Sequence, residues 1–176
     1  MKLVAVNIDK ELIERCIKGD QDAWKDLIIR YERLVYSVAL TFCTESDAAD
    51  VFQQVWLELY QRLSDLRHAE ALPAWLITVT RRCAYKLINS RHGSEPLEDD
   101  VPDLKQQQIT QIEYEHELER GLSQLGDRCR ELIDLLYFNP DEPSYAGIAD
   151  KLSMPVASIG PTRARCLEKL RKLLGA

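Results

Sequence analysis

Apolar residues recur at three- and four-residue steps through most of the first ninety positions, the spacing that lines one side of an α-helix. In "DKELIERCIKG" Leu12, Ile13, Cys16 and Ile17 share a face, and Gly19 reads as a stop. Asp20 is placed to cap "QDAWKDLIIRYERLVYSVALTFC", whose stripe is Trp24, Leu27, Ile28, Tyr31, Leu34, Val35 and Val38. Thr44 caps a third helix, with Asp47 three residues on in a near capping box. Its stripe is Ala48, Val51, Phe52, Val55, Trp56, Leu59 and Leu63, so Trp56 reads as a core residue. After the polar stretch "SDLRHAEAL", Pro73 opens a fourth helix edged by Leu76, Val79, Cys83 and Leu87. No apolar alternation argues for a sheet, and the predicted fold is all-α.

The pattern then breaks. Residues 93–110, "GSEPLEDDVPDLKQQQIT", hold two prolines, five acids and three consecutive glutamines, which reads as a linker with little packed core. Helical spacing resumes in "QIEYEHELERGLSQL" and "DRCRELIDLLYF", and stops at "NPDEP". The expected organisation is two small helical domains, residues 1–92 and 112–176, joined by an acidic flexible linker over 93–111.

The last thirty residues read as two helices around a tight turn. Ser144 caps "YAGIADKL", with Ile148, Ala149 and Leu152 inward, and "SMPVA" is the turn. A helix beginning at Val156 would place Pro161 in its second turn, at a cost of roughly 3 kcal/mol. With Ser158 as cap, Pro161 becomes the third helical residue and loses no bond, so the second helix is expected to start at Ile159. At 100° per residue, Leu167, Leu170 and Leu174 then cluster with Gly160 and Ala164 nearby. Ser158, Thr162, Arg165, Lys169 and Lys172 fall opposite. This is a helix-turn-helix pattern whose second helix turns a basic face outward, the arrangement that meets DNA phosphates and base edges. Arg163 lies beside the apolar side, where its stem covers core while its head reaches a phosphate.

Charge sharpens this picture. The 176 residues carry a net charge of −6. Residues 1–92 balance thirteen basic against thirteen acidic side chains, while 93–117 hold one lysine and eight acids. Two spots are basic: 78–92, with four cations and no acid, and 155–176, with five cations and one acid. Focused charge of this kind is compatible with nucleic-acid binding by an acidic chain. Five scattered cysteines form no CxxC, and three histidines form no HxxxH, so neither a zinc site nor a disulfide framework is expected. No cofactor or metal is expected. No apolar run approaches a membrane span and the N-terminal stretch is too polar for a signal peptide, which points to a cytoplasmic protein without membrane contact of its own. No paired carboxylates, nucleophile–base set or phosphate loop points to an enzyme.

These motifs, in this order, resemble bacterial RNA polymerase sigma factors of the extracytoplasmic-function (ECF) type, which keep only regions two and four. "GDQDAWKDLIIRY", "DAADVFQQVW" (47–56) and "WLITVTRR" (75–82) are similar to region-two motifs. "LGDRCR" (125–130) and "SYAGIADKL" (144–152) are similar to region four. Ala49, Gln54, Arg82 and Gly126 depart from the family's usual residues, and "SIGPTRARC" departs most.

The resemblance implies a region-two helical bundle and a region-four helix-turn-helix. It implies core RNA polymerase as partner, through the β′ clamp helices and β flap, with Asp50, Gln53 and Gln54 as contacts on the third helix. It implies promoter DNA as the second partner. The −10 element would meet Thr78, Arg81, Arg82, Tyr85, Lys86 and Asn89, with the Ser64–Leu72 loop holding an extruded base. The −35 element would meet Ser158, Thr162, Arg163, Arg165, Lys169 and Lys172, with Arg128 and Arg130 on phosphates. An anti-sigma factor is a further implied partner. Two alternatives stay open: a helix-turn-helix regulator that never binds polymerase, and a decoy sigma that sequesters a regulator.

Overall fold

A computed structural model describes residues 3–66, 68–92 and 103–175. Residues 93–102 of the expected linker, and Arg67 within the Ser64–Leu72 loop, lie outside the described residues. Among the described residues all regular structure is helical: α1 (Leu3–Ile17), α2 (Gln21–Phe42), α3 (Glu45–Arg62), α4 (Leu72–His92), α5 (Asp103–Ser123), α6 (Asp127–Tyr137), α7 (Tyr145–Lys151) and α8 (Val156–Leu174). Two short 3₁₀ turns, Leu63–Asp65 and Ala69–Ala71, fill the stretch between α3 and α4. The chain divides into two compact units, Val6–His116 and one built mainly from Glu117–Ala176.

The first unit follows the predicted stripes. Leu27, Tyr31 and Val38 of α2, Val55 of α3 and Leu76 of α4 are wholly buried in one core, and Trp56 is 9% exposed. The caps are the predicted ones. The Asp20 carboxylate accepts from the Asp22 and Ala23 amides at 3.0 and 3.1 Å, and the Thr44 hydroxyl accepts from the Asp47 amide at 3.4 Å. Gly19 turns the chain with φ +85°, a conformation that glycine adopts without strain. Arg30 donates to Asp9, which is 2% exposed, tying α2 to α1 by a buried ion pair.

Three expectations for this unit are corrected. Helix α1 begins at Leu3 rather than Asp9, because "LVAVNI" contains no breaker. Ile17, its last residue, is exposed. Helix α5 begins at Asp103, inside the segment read as linker, since lysine and glutamines favour helix and Ile109 buries in the first unit's core.

The second unit gathers Leu122 and Leu125 with Leu132 and Ile133 of α6, Ile148 and Ala149 of α7, and Ile159, Cys166 and Leu170 of α8. Helices α5 and α8 approach closely at Gly121, where a Cβ would come within 2.8 Å of the Leu174 side chain. The Ser144 hydroxyl accepts from the Gly147 amide at 3.2 Å, the predicted cap. Helix α7 ends in a Schellman turn. The Met154 amide donates to the Ala149 carbonyl at 2.9 Å and the Ser153 amide to Asp150 at 3.3 Å, with Ser153 left-handed at φ +49°.

Two corrections fall in this unit. Helix α8 starts at Val156 with Pro155 as its cap residue, so Pro161 lies inside the helix and Ser158 is not the cap. Ile159, in the first turn of this helix, is completely buried, which helps to offset the missing bond. The cysteines are also not all ordinary packing residues. Cys129 of α6 and Cys166 of α8 form a disulfide with Cα atoms 5.4 Å apart. Periodicity places Cys166 on α8, yet it cannot show which residue of another helix faces it. Closing a loop across a separation of 37 residues stabilises by about 4 kcal/mol in the chain-entropy account.

The Asp20 carboxyl is held below its ordinary 3.8, first by the Ala23 amide and then by the Arg15 guanidinium. A lowered folded value means that its contribution is present above the unfolded value and is lost as pH falls through the folded one. NMR titration should therefore place Asp20 below 3.8, and Arg15→Gln should raise it only partway, because the amide bonds remain. Replacing Arg30 by Met should take one charged partner from the buried Asp9 carboxylate and lower stability by about 3 kcal/mol in chemical denaturation.

Candidate nucleic-acid and partner interfaces

In the first unit the candidate residues lie on α3 and α4. The β-branched and aliphatic residues of "LPAWLITVTRR" bury one side of α4, which leaves its polar residues on the other. Asp50, Gln53 and Gln54 are all exposed, on the side of α3 opposite Val51 and Val55. On α4, Thr78 and Lys86 are exposed, while Arg81, Arg82, Tyr85 and Asn89 are half-buried. The Thr78 hydroxyl donates to the Ala74 carbonyl at 2.8 Å, and the Tyr85 ring lies 5.2 Å from Phe42, so part of its surface is spent on packing.

Helices α3 and α4 pack together. A groove of about 390 Å³ runs between them, bordered by Asp50, Gln54 and Glu58 on one side and Arg82 and Lys86 on the other. The structure thus brings two of the expected polymerase contacts and two of the expected −10 contacts to one groove. Glu58, which sequence reasoning missed, organises it. Its carboxylate accepts from Arg82 and pairs with Arg62 at 3.4 Å. The signal was present as the only acid between Val51 and Arg62, but its pairing needs the α3–α4 packing. Cys83 at the groove floor has its thiol pushed up in pKa, first by burial and then by the Glu58 charge.

In the second unit the buried stripe of α8 is Ile159, Cys166 and Leu170, with Leu167 and Leu174 half-buried and Ala164 exposed. The inward side is therefore rotated from the predicted Leu167–Leu170–Leu174 face toward Cys166. Arg163, Arg165, Lys169 and Lys172 are exposed, and Ser158 and Thr162 are half-buried. Arg163 does not lie along the core; it donates to the Tyr145 hydroxyl at 3.3 Å. Arg165 donates to the Thr162 hydroxyl and the Pro161 carbonyl, both at 3.3 Å, which holds it against its own helix. Glu168 accepts from Arg171 at 3.1 Å and pairs with Lys172 at 3.8 Å, and those cations hold its carboxyl below the ordinary range, Arg171 first. Lys172 is thus partly neutralised, whereas Lys169 has no acidic partner among the described residues. Arg128 is exposed at the start of α6, and Arg130 pairs with Asp134 at 2.8 Å.

No group of three or more His, Cys, Asp and Glu among the described residues is placed to hold a metal ion, and no described helix is long and apolar enough to cross a membrane.

Comparison with known proteins bears on these two units unequally. The model of the family "Sigma-70 region 2" matches residues 27–93, which cover most of α2, all of α3 and α4. The ECF RNA polymerase sigma-E factor of Escherichia coli (strain K12) is 31% identical over 93 residues, 53% of this chain and 48% of that protein. The match thus spans about half the length of that relative. The RNA polymerase sigma-H factor of Pseudomonas aeruginosa is 24% identical over 183 aligned positions, covering 94% of this chain and 93% of that protein. Among solved structures, CnrH in complex with the cytosolic domain of CnrY aligns with a TM-score of 0.42 at 21% identity, covering 96% of this chain and 97% of that one.

The Glu58–Arg82 pair links α3 to α4 with Glu58 only 13% exposed. A double-mutant cycle of Glu58→Gln and Arg82→Gln, followed by urea denaturation, should return a coupling of about 1 kcal/mol.

Proposed function

We propose, from the match of residues 27–93 to the Sigma-70 region 2 family, that this chain is a sigma factor of the ECF type. It binds core RNA polymerase and directs promoter-specific initiation, and it catalyses no reaction of its own. The observation that carries this reading is the region-two match over α2–α4, supported by the sigma-H relative that aligns over nearly the whole chain.

In this reading Asp50, Gln53 and Gln54 on α3 dock on the β′ clamp helices. Thr78, Arg81, Arg82, Tyr85, Lys86 and Asn89 of α4 meet the −10 element. Arg82 and Tyr85 enter with prior engagements, to Glu58 and Phe42, so Lys86 is the most available cation of the set. On α8, Ser158, Thr162, Arg163, Arg165, Lys169 and Lys172 meet the −35 element, with Arg128 and Arg130 near phosphates. Lys169 is the most available cation there, because Glu168 offsets Lys172 and Arg165 is held against its own helix. The β flap and an anti-sigma factor are the remaining partners of this reading, and the cytoplasm is its place of action.

The acidic balance of the chain has a role in the same reading. Long-range repulsion between a −6 protein and DNA keeps free sigma from binding promoters well, whereas polymerase holds both basic faces on DNA together.

Run-off transcription with purified core polymerase and genomic fragments tests the proposal. Defined transcripts are expected, and Arg165→Ala with Lys169→Ala should abolish them while core binding persists. The salt dependence of holoenzyme–promoter binding should weaken by about 0.9 in log–log slope per phosphate contact removed. Core binding without transcripts from any fragment would favour the decoy, and no core binding would leave an ordinary helix-turn-helix regulator.

A further inference from the structure

The cysteines separate into two groups. Cys16 and Cys83 are buried, and burial pushes the Cys16 thiol up to about 11 and Cys83 upward as well, which disfavours the thiolate at both. Cys43 is half-buried, with its sulfur 3.1 Å from the Ala39 carbonyl. Cys129 and Cys166 instead face each other across the second unit, at a Cα separation that lets sulfurs bond without moving the backbone. The two members are unequal: Cys129 is only partly buried near the start of α6, and Cys166 is 1% exposed in the middle of α8.

From this asymmetry we infer that Cys129 and Cys166 form a thiol–disulfide exchange site that reversibly staples α8 to α6, with Cys129 as the entry sulfur and Cys166 as the resolving one. The oxidant is a low-molecular-weight disulfide. The Cys129 thiolate attacks one of its sulfurs and expels one thiolate. The Cys166 thiolate then attacks the Cys129 sulfur, closes the internal bond and expels the second thiolate. Two protein thiols lose two protons and two electrons, and one small disulfide becomes two thiols. Reduction runs backward from attack on the sulfur of Cys129, the less buried residue of the pair.

Both states fit the fold. As thiols the pair are small hydrophobes, and Cys166 sits between Ile159 and Leu170 on the buried stripe. The bond adds a fixed distance between α6 and α8. It also fixes Arg128 and Arg130, beside Cys129, relative to Arg163, Arg165 and Lys169, around Cys166. A consequence for DNA rests on the proposed −35 role of α8: the stapled form holds its cations in one arrangement and binds more tightly.

The test uses the full chain equilibrated in glutathione buffers of stepped ratio, with peptide mass spectrometry. The Cys129–Cys166 link should form and break reversibly without denaturant. Cys166→Ser should accumulate glutathione on Cys129, while Cys129→Ser should leave Cys166 unmodified. The unfolding midpoint of the second unit should drop by roughly 20 °C on reduction. Persistent thiols in oxidised glutathione, or a link that opens only in denaturant, would overturn the exchange site. So would glutathione on Cys166 in the Cys129→Ser protein. Promoter affinity of the holoenzyme, measured in both states, should fall several-fold on reduction. Equal affinities overturn the DNA consequence alone, and absence of promoter binding in both states counts against the −35 role of α8, not against the staple.

Discussion

The second unit depends on one stripe. Ile159, Cys166 and Leu170 of α8 must bury against Leu132, Ile133 and Ile148, because a unit of about sixty residues has little other apolar surface to remove from water. That requirement sets the rotation of α8 about its axis, and the rotation decides which side chains face solvent. It also explains why a proline is tolerated inside the helix. Starting α8 at Val156 keeps Ile159 in register with the stripe, and burying an isoleucine contributes about 2 kcal/mol toward the bond that Pro161 cannot make.

The first unit meets the same requirement with more material, and it makes different use of its polar residues. Its core is deep enough to hold an ion pair, Arg30 with Asp9, and to place Glu58 between two arginines at a groove edge. Acidic and basic residues there neutralise each other locally. Among the described residues, the charges on α8 are neutralised only toward its C-terminal end, by Glu168. The two basic spots of the sequence are therefore not equivalent. The one on α4 is embedded in a mixed groove, and the one on α8 is a projecting face.

Much of this was legible in the sequence wherever one side of a helix carried the information. The stripes of α2 and α3 and the caps Asp20, Thr44 and Ser144 depend on residues a few positions apart, and each stands where periodicity places it. What escaped depends on distant parts of the chain. Ile109 reads as one apolar residue in a polar run until the first core receives it. Proline chemistry alone argued for a helix beginning at Ile159, and tertiary burial overrode it. Residues within one helix are also insufficient for the site: Arg82 looks like a free cation on α4 until α3 supplies Glu58, while Lys86 stays exposed at the edge of the same groove.

The turn between α7 and α8 has a different kind of consequence. Its angle is decided by two main-chain bonds, Met154 to Ala149 and Ser153 to Asp150, and by one left-handed residue. Side-chain identity matters there mainly through what the backbone tolerates, and glycine or asparagine would serve Ser153's conformation at least as well. The joint can therefore change in its letters without losing its shape, provided the left-handed residue and the two main-chain bonds remain. Divergence in "SMP" is then weak evidence about ancestry, and the fixed angle it encodes is a better character by which to compare relatives than the residues themselves.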